Sequence, residues 1–231
     1  GAAAPGGAET FSGGPGNDAN TPFAPELVYL DLPVLSGSEE TGWARAGALA
    51  IPWRQMVLSS SVETEGYAAR TTLDAPAKIG ALAEPLPPGH IESRFDCTAT
   101  LVVDLGFGGL ASASRLSVLN GANAVAVRSD IDAWEIIQFE AAEEIAPGRW
   151  RLTSLLRGQA GTDDAMHAGA SAGAAFIVLD STVKSLGLSL DEAGRAFNWI
   201  AEASGANANG ASLTVFAGGE RALTPLSPVH L

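Results

Sequence analysis

The sequence predicts a mostly β protein, an antiparallel β-sandwich or β-barrel-like fold with few short helices. From Leu27 onward, short apolar runs rich in β-branched and aromatic residues recur, and turn-forming residues separate them about every ten residues. No segment repeats its apolar residues at helical spacing over four or more turns. Both observations are typical of strands that are joined by short turns.

Ten segments are predicted to be strands because each has strand length and is bounded by turn residues. They are LVYLDL from Leu27, QMVLSSSV from Gln55, YAARTTL from Tyr67, TATLVVDL from Thr98, NAVAVRS from Asn123, WEIIQFEAAEEI from Trp134, RWRLTSLL from Arg149, AAFIVLD from Ala174, FNWIAEA from Phe197 and SLTVFA from Ser212. In the strand from Arg149, alternation predicts that Trp150, Leu152 and Ser154 face one way and Arg151, Thr153 and Leu155 the other.

One segment also has helical features. SLDEAGRAFNWIAEA from Ser189 offers a Ser N-cap with Glu192 at the capping-box position. Gly194 in its interior and the bulky Phe197 and Trp199 disfavour a helix. A short helix before a strand and a strand alone both remain open.

Composition divides the chain into three parts. Residues 1–24 are rich in Gly, Ala and Pro and cannot bury enough apolar surface to form a core, so they are predicted to be a linker or arm. Residues 25–222 form the β-rich part, and the PLPPG segment at 85–89 is a point where two subdomains could divide. Residues 223–231 carry two prolines and are predicted to connect to a following domain.

Charge and cysteine content exclude several classes of function. The net charge of −13 over 231 residues repels phosphate backbones, which argues against nucleic acid as a ligand. A single cysteine, Cys97, excludes an internal disulfide and a C-x-x-C metal site. No apolar run approaches the roughly 20 residues that a membrane-spanning helix needs.

A nucleophilic hydrolase is not predicted. The chain has three histidines, His90, His167 and His230, and no G-x-S-x-G elbow, since the nearest match, GFGGLASAS from Gly106, lacks its glycine pattern. Cys97 lies at the start of an apolar strand, where a lone cysteine is usually a small buried hydrophobe.

The acidic residues form neighbouring groups rather than facing pairs. Glu143 with Glu144, and Asp163 with Asp164, are adjacent, and adjacent strand residues point to opposite faces. The group SDIDAWE offers Asp130, Asp132 and Glu135 as oxygen ligands for calcium, although a solvated acidic turn is the favoured interpretation. No residue is assigned to catalysis, to a cofactor or to a metal, and the chain is predicted not to be an enzyme.

The tryptophans are predicted to pack in the core, with one of the five exposed and able to stack on a sugar ring. They are Trp43, Trp53, Trp134, Trp150 and Trp199.

The segment between the strands from Arg149 and Ala174 is predicted to be a long structural turn. Arg157 is expected to fold back onto Asp163 or Asp164 and to hold the loop by a charge-assisted hydrogen bond. Gly158 and Gly161 are expected to supply positive φ angles. The role of Arg157 is therefore predicted to be structural.

The same segment, LLRGQAGTDDAMHAGASAGAAFIVLD, resembles a segment of the tail-hub proteins of gene transfer agents and related tailed phages. Supporting matches cover most of residues 25–231. They are PAKIGALAEPLPPG from Pro76, LASASRLSVLNGANAVAV from Leu110, AWEIIQFEAAEEIAPGRWRL from Ala133 and LTPLSPVHL from Leu223. The chain looks like the β-rich portion C-terminal to the TIM-barrel-like region of the large host-specificity tail protein.

This resemblance implies a structural role at the tail tip or baseplate, in tail assembly and in host attachment or DNA delivery. It implies other tail proteins as partners, a homotrimer in the full-length protein, and a location in the tail of a particle that is assembled in the bacterial cytoplasm and then released. No catalytic residue is implied. Two alternatives remain open, a carbohydrate-binding β-sandwich that recognises host surface glycan and an envelope-degrading hydrolase.

Overall fold

The computed structural model describes residues 25–35, 44–91, 94–204 and 212–224. The predicted arm at 1–24 lies outside the described residues, as do Trp43, His230 and all but the first two residues of the predicted connector.

The described residues form an antiparallel β structure, which confirms the predicted fold class. Its thirteen strands are β1 (Glu26–Asp31), β2 (Ala44–Leu49), β3 (Met56–Ser61), β4 (Ala68–Leu73), β5 (Ile79–Leu82), β6 (Leu101–Leu105), β7 (Ala124–Arg128), β8 (Trp134–Ala146), β9 (Arg149–Gln159), β10 (Ala175–Val178), β11 (Lys184–Ser185), β12 (Phe197–Ala203) and β13 (Ser212–Phe216). Two short helices are α1 (Arg115–Leu119) and α2 (Asp163–Ala168). Each of the ten predicted strands is present.

Three strands and both helices were not predicted from the sequence. β2 reads ARAGAL and lacks β-branched or aromatic residues, β5 has four residues, and β11 has two. Segments this short or this poor in strand-forming residues carry little local signal. The helices have five and six residues, and α2 lies inside the segment that was expected to be an irregular turn.

Six strands close into a barrel in the order β10, β5, β6, β9, β8, β7. Every barrel strand sends apolar side chains inward, as alternation on a closed sheet requires. The interior cluster contains Leu82, Leu101, Val103, Val125, Val127, Ile137, Phe139, Leu152, Leu155 and Phe176. The 85–89 segment lies against the barrel, since Leu86 pairs with Ala170.

The alternation that was predicted for β9 is wrong at its centre. Leu152 and Leu155 were expected on opposite faces, but both join the barrel interior. Between them Ser154 has φ +55°, a left-handed conformation that is uncommon outside glycine. This residue turns the strand, so that Leu155 returns to the inner face.

A three-stranded sheet, β1, β2 and β11, lies between the barrel and a second sheet. One face carries Val28, Leu30 and Leu49, which cluster with Ile79, Ile136 and Ile177 on the outside of the barrel. The opposite face carries Tyr29, Ala44, Ala46 and Ala48, which cluster with residues of the other sheet. Both faces are buried, and small side chains on β2 let the layers approach closely.

The second sheet has four strands in the order β13, β12, β3, β4. Its inner face packs Met56, Leu58, Leu73, Phe197 and Trp199 against β1 and β2. Tyr29 contacts both Trp199, at 5.9 Å between ring centroids, and Phe216, at 5.3 Å. Strands before and after the barrel in sequence build these two sheets, so the barrel is an insertion between β4 and β11.

The segment from Ser189 forms a single 3-10 turn, Leu190–Glu192, and then strand β12. Gly194 has φ +74°, and a Cβ there would lie 2.6 Å from a Glu220 carboxylate oxygen, so a helix cannot continue through it. Of the helix that the sequence left open for this segment, only this one turn forms. The Ser189 N–H does donate to the Glu192 carboxylate at 3.0 Å, as the capping-box pattern predicted.

Arg70 of β4 holds this turn against the four-stranded sheet. Its guanidinium donates two hydrogen bonds to Glu192, at 2.5 and 3.0 Å, and both side chains are mostly buried. These bonds from Arg70 outweigh the effect of burial and lower the pKa of Glu192 to about 2. The charged form of Glu192 therefore stabilises the folded state.

We predict that substitution of Gly47 in β2 separates the barrel from the three-stranded sheet. A Cβ at this position would lie 2.8 Å from Ile177 Cδ1 and 3.0 Å from Ala77 Cβ. Gly47→Val should lower the free energy of unfolding by about 1 to 3 kcal/mol through overpacking. Chemical denaturation measures this, with the exposed Thr64→Val as control, for which a change within about 0.5 kcal/mol is expected. Equal stability of the two variants would contradict the close approach.

A second prediction concerns acid stability. Because the folded-state pKa of Glu192 lies below its ordinary value of 4.5, the unfolded state binds more protons between about pH 4.5 and pH 2. The stabilisation is present above pH 4.5 and is lost as pH falls through about 2. Glu192→Gln should be less stable at pH 7, and its stability should converge with that of the natural protein near pH 2. Denaturation at several pH values measures this, and the exposed Glu202→Gln serves as control. Parallel curves for Glu192→Gln and the natural protein would refute the coupling.

Candidate functional site

The most strongly constrained polar site is a buried ion pair between Arg157 of β9 and Glu135 of β8. Arg157 Nε donates to Glu135 Oε1 at 2.5 Å, and Nη2 donates to Oε2 at 2.8 Å. Each side chain is only 1% exposed. Arg157 Nη1 also donates to the Pro87 carbonyl at 3.2 Å, and the Gly158 N–H donates to Glu135 Oε1 at 3.1 Å. Glu135 therefore accepts three hydrogen bonds without contact with solvent.

A β-bulge creates this site. Ile136 pairs with Gln159 and Gln138 pairs with Leu156, so Arg157 and Gly158 both lie opposite Ile137. A bulge of this kind breaks the hydrogen-bond ladder and changes the direction of a side chain. Glu135 accepts the backbone N–H that Gly158 presents there, and Gly158 has φ +59°, which favours glycine.

Helix α2 and the 85–89 segment cover the ion pair. A Cβ at Gly89 would lie 2.6 Å from Met166 Cγ and 3.3 Å from Arg157 Nη1, so only glycine allows this approach. Thr162, which precedes α2, is fully buried, and its hydroxyl accepts a hydrogen bond from the Ile136 N–H at 3.0 Å. These contacts shield the ion pair from solvent, and each of its side chains is 1% exposed.

The predicted partner of Arg157 is wrong. Arg157 does hold a loop, but through Glu135 and Pro87 and not through Asp163 or Asp164. Asp164 instead binds Arg221, at 2.5 and 2.8 Å, and Arg221 lowers the pKa of Asp164. The α2 helix, which was not predicted, turns Asp164 outward toward the C-terminal segment. The predicted positive φ angles are confirmed, at +59° for Gly158 and +77° for Gly161.

Asp96 is a second buried carboxylate near this site. Its Oδ1 accepts hydrogen bonds from the Thr98 hydroxyl and from the N–H groups of Thr98 and Ala99, at 2.7 to 3.0 Å. Burial alone would raise the pKa of Asp96, but these hydrogen bonds and the charge of Arg157 outweigh it and lower the pKa below its ordinary value. Asp96 is thus an ionised cap of a turn.

The candidate calcium ligands do not converge. Asp130 Oδ1 accepts from the Ser171 N–H at 2.8 Å, Asp132 binds Arg128, and Glu135 points inward to Arg157. Across the described ranges, no group of three or more His, Cys, Asp or Glu residues could hold a metal ion. The favoured interpretation, a solvated acidic turn, holds for the exposed Asp130 and Asp132 but is wrong for Glu135, which is buried in β8.

The adjacent carboxylates also have structural partners. Glu143 binds Arg151 at 3.4 Å, and Glu144 accepts from the Gly148 N–H at 2.9 Å within the β8–β9 turn. In the GFGGLASAS segment, the Ser112 hydroxyl accepts from the Ala142 N–H, and Ser114 caps α1. These groups hold turns and strand ends in place.

Cys97 is exposed, which contradicts the expectation of a buried cysteine. It lies between Asp96 and Thr98, in the turn that the Asp96 carboxylate caps and before β6 begins at Leu101. The apolar run that suggested burial starts too late to include Cys97.

Among the four tryptophans in the described residues, none is exposed. Trp134 and Trp199 are buried, and Trp53 and Trp150 are half-buried. Core packing, which was the default expectation, accounts for all four. Trp43, the fifth, lies outside the described residues.

The fold brings together two histidines that are far apart in the sequence. The rings of His90, which follows the 85–89 segment, and His167 of α2 stack with centroids 6.2 Å apart and an interplanar angle of 25°. Both residues are exposed. No local pattern connects them, because their proximity depends on how α2 packs against the 85–89 segment.

Residues 77–177 match a protein family described as Rcc01698-like, C-terminal. This range runs from just before β5 into β10, so the chain is similar to that family over nearly the whole barrel. No curated protein matches the chain. Within the described residues, neither helix has the length and apolar character needed to cross a bilayer.

We predict that Arg157 is essential for stability. Arg157→Ala strands a buried carboxylate and should lower the free energy of unfolding by about 3 to 5 kcal/mol. The double variant Arg157→Met, Glu135→Leu should be more stable than Arg157→Met alone, because it leaves no unpaired buried charge. Denaturant titration measures both effects.

The control is Arg149→Ala. Arg149 makes an equally short ion pair with Asp104, but both side chains are about half exposed, at 48% and 50%. Solvent screens such a pair, so its loss should change stability far less. An unchanged melting temperature for Arg157→Ala would show that Arg157 is not buried in solution.

Proposed function

We propose that this chain is a non-enzymatic β module of the tail tip or baseplate hub of a phage-like particle, of the gene transfer agent type. Its role is to contribute protein contacts to tail assembly and to host attachment or DNA delivery. The observation that carries this proposal is the structural role of the segment Leu155–Asp180, which resembles tail-hub proteins. This segment supplies Arg157 to the buried ion pair and also forms helix α2, which covers that pair.

The distribution of charge supports a role in protein contacts. At least nine of the 13 Lys and Arg side chains form ion pairs with carboxylates of the same chain. The chain as a whole has a net charge of −13, which disfavours a phosphate backbone as partner. The proposed partners are other tail and baseplate proteins.

The layered architecture also suits a rigid building block. Two apolar clusters join the three-stranded sheet to the barrel on one face and to the four-stranded sheet on the other, so buried contacts hold the three layers together. In the proposed assembly the full-length protein is a homotrimer in the tail of a particle that is released from the bacterial cell. The symmetry contacts are supplied by other parts of the full-length protein.

The location in the particle is the first test. A short epitope inserted in the exposed turn at residues 63–65 should be labelled by gold-conjugated antibody at one end of the tail in purified particles. The same epitope on a capsid protein of the particle serves as control for access of the antibody. Labelling of the capsid by the tagged chain, or its absence from particles, would defeat the proposal.

The oligomeric state is the second part of the same test. Light scattering should report a monomer for the 231-residue fragment, because its charge of −13 opposes self-association, and a trimer for the full-length protein. A monomeric full-length protein in purified particles would contradict the hub assignment. A trimeric fragment would place the symmetry contacts within this segment.

The two alternatives have no specific observation in their favour. Glycan recognition through an exposed tryptophan finds no such residue among Trp53, Trp134, Trp150 and Trp199. An envelope hydrolase needs carboxylates that are available to substrate, whereas Glu135 and Asp164 are bound to arginines. Hits on a glycan array, or turnover of peptidoglycan or capsule, would revive either alternative.

A further inference from the structure

Residues 217–224, which follow β13, form a strap that binds two other parts of the fold. The N–H groups of Gly219 and Arg221 donate to the two carboxylate oxygens of Asp31, at the end of β1, at 2.7 and 3.2 Å. The Arg221 guanidinium donates to both carboxylate oxygens of Asp164 in α2, at 2.5 and 2.8 Å. The strap therefore connects the four-stranded sheet to the three-stranded sheet and to the helix on the barrel.

The Arg221 guanidinium makes the contacts to α2 and its side chain is 22% exposed. It also donates to the Gly161 carbonyl at 2.8 Å. The hydrogen bonds to Asp164, and the charges of Asp31 and Asp163, raise the pKa of this guanidinium although burial lowers it. One cation therefore attracts carboxylates on both β1 and α2, and charge-assisted hydrogen bonds of this kind are stronger than those between neutral groups.

Few apolar contacts add to this polar attachment. None of the described residues 217–224 belongs to one of the three apolar clusters. Gly218 and Gly219 are buried but carry no side chain, and Leu223 is 49% exposed. When such a segment opens, water replaces its hydrogen bonds and little apolar surface is uncovered. Opening therefore costs far less than the unfolding of a strand.

A pair of glycines lies where the strap leaves β13. Gly219 has φ +93°, and a Cβ at Gly218 would lie 2.6 Å from Cζ of the Phe216 ring. Hinges are a few residues at the end of an element that absorb a change in backbone direction. Gly218 and Gly219 are placed to let residues 220–224 move while β13 stays paired with β12.

We propose that the strap is a releasable segment with a docked and an open state, and that Arg221 holds the docked state. Opening breaks the contacts to Asp31 and Asp164, while each barrel strand keeps its hydrogen bonds to its neighbours. The chain continues from Thr224 into residues 225–231, so opening changes the point from which those residues leave the fold. The device rests on the contacts of the strap and is independent of the proposed tail-hub function.

The test is hydrogen–deuterium exchange with mass spectrometry on the 231-residue chain and on Arg221→Gln. Peptides that cover residues 217–224 should exchange about tenfold faster in the variant, because loss of the charged hydrogen bonds shifts the opening equilibrium. Peptides from β6, β8 and β9 should exchange within about twofold of the natural chain, as expected for a surface substitution away from them. Unchanged exchange in the strap, or equal acceleration in the barrel strands, would overturn the proposal.

Two further variants separate the strap from a general effect of charge. Asp164→Asn weakens the same contact from the other side and should also accelerate exchange in the strap. Arg149→Gln is the matched control, since it removes an equally short pair of hydrogen bonds to Asp104, at 2.6 and 2.7 Å, on a different part of the barrel. It should leave the strap unchanged, and acceleration as large as that in Arg221→Gln would show that Arg221 has no special role.

A measurement on the natural chain alone completes the test. At low denaturant concentration, the strap should exchange through an opening with a smaller free energy than that of the barrel strands. This free energy should depend little on denaturant, because the dependence scales with the surface that opening exposes. If strap and barrel strands exchange with the same free energy and the same denaturant dependence, the strap opens only when the whole chain unfolds, and the proposal is refuted.

Discussion

The pairing of Arg157 with Glu135 is the constraint on which the irregular side of the barrel depends. The β-bulge at Arg157 and Gly158 sends a guanidinium into a space from which water is excluded. A lone charge there would cost several kcal/mol, so the carboxylate of Glu135, the Gly158 N–H and the Pro87 carbonyl have to be in place together. This requirement fixes the course of the 85–89 segment and the position of α2, and with them the stacked histidines.

The three-stranded sheet makes a different kind of connection. Its two faces are both buried, one against the outside of the barrel and one against the four-stranded sheet. Ala44, Ala46, Ala48 and Gly47 supply the short side chains that this double packing needs. A barrel inserted into the middle of a chain would otherwise be tethered only at its ends. Here the flanking strands return to cover it, and the match to a known family spans nearly the same inserted unit.

Ion pairs connect separate elements of the fold and do not form one cluster. Arg70 and Glu192 tie β4 to the turn before β12, while Arg221 joins α2 to the C-terminal segment, whose backbone N–H groups bind Asp31 of β1. Because most Lys and Arg side chains are paired with carboxylates in this way, the charge that remains is mostly acidic. Such a molecule is suited to hold a defined shape while it contacts other proteins, which is the role proposed for it.

The sequence by itself determined the fold class, ten of the strands and the structural character of Arg157, because strand length, turn residues and a lone arginine among glycines are local features. It did not determine β2, β5 and β11, which carry little intrinsic preference and form because neighbouring strands bind them. The partner of Arg157 lies 22 residues away across a bulge, and the wrong choice of Asp163 or Asp164 came from proximity in the sequence. The exposure of Cys97 and the left-handed conformation of Ser154 did not follow from the alternation of apolar residues. The meeting of His90 with His167 was decided only by tertiary packing, since it depends on hydrogen bonds between backbone groups that are distant in the sequence.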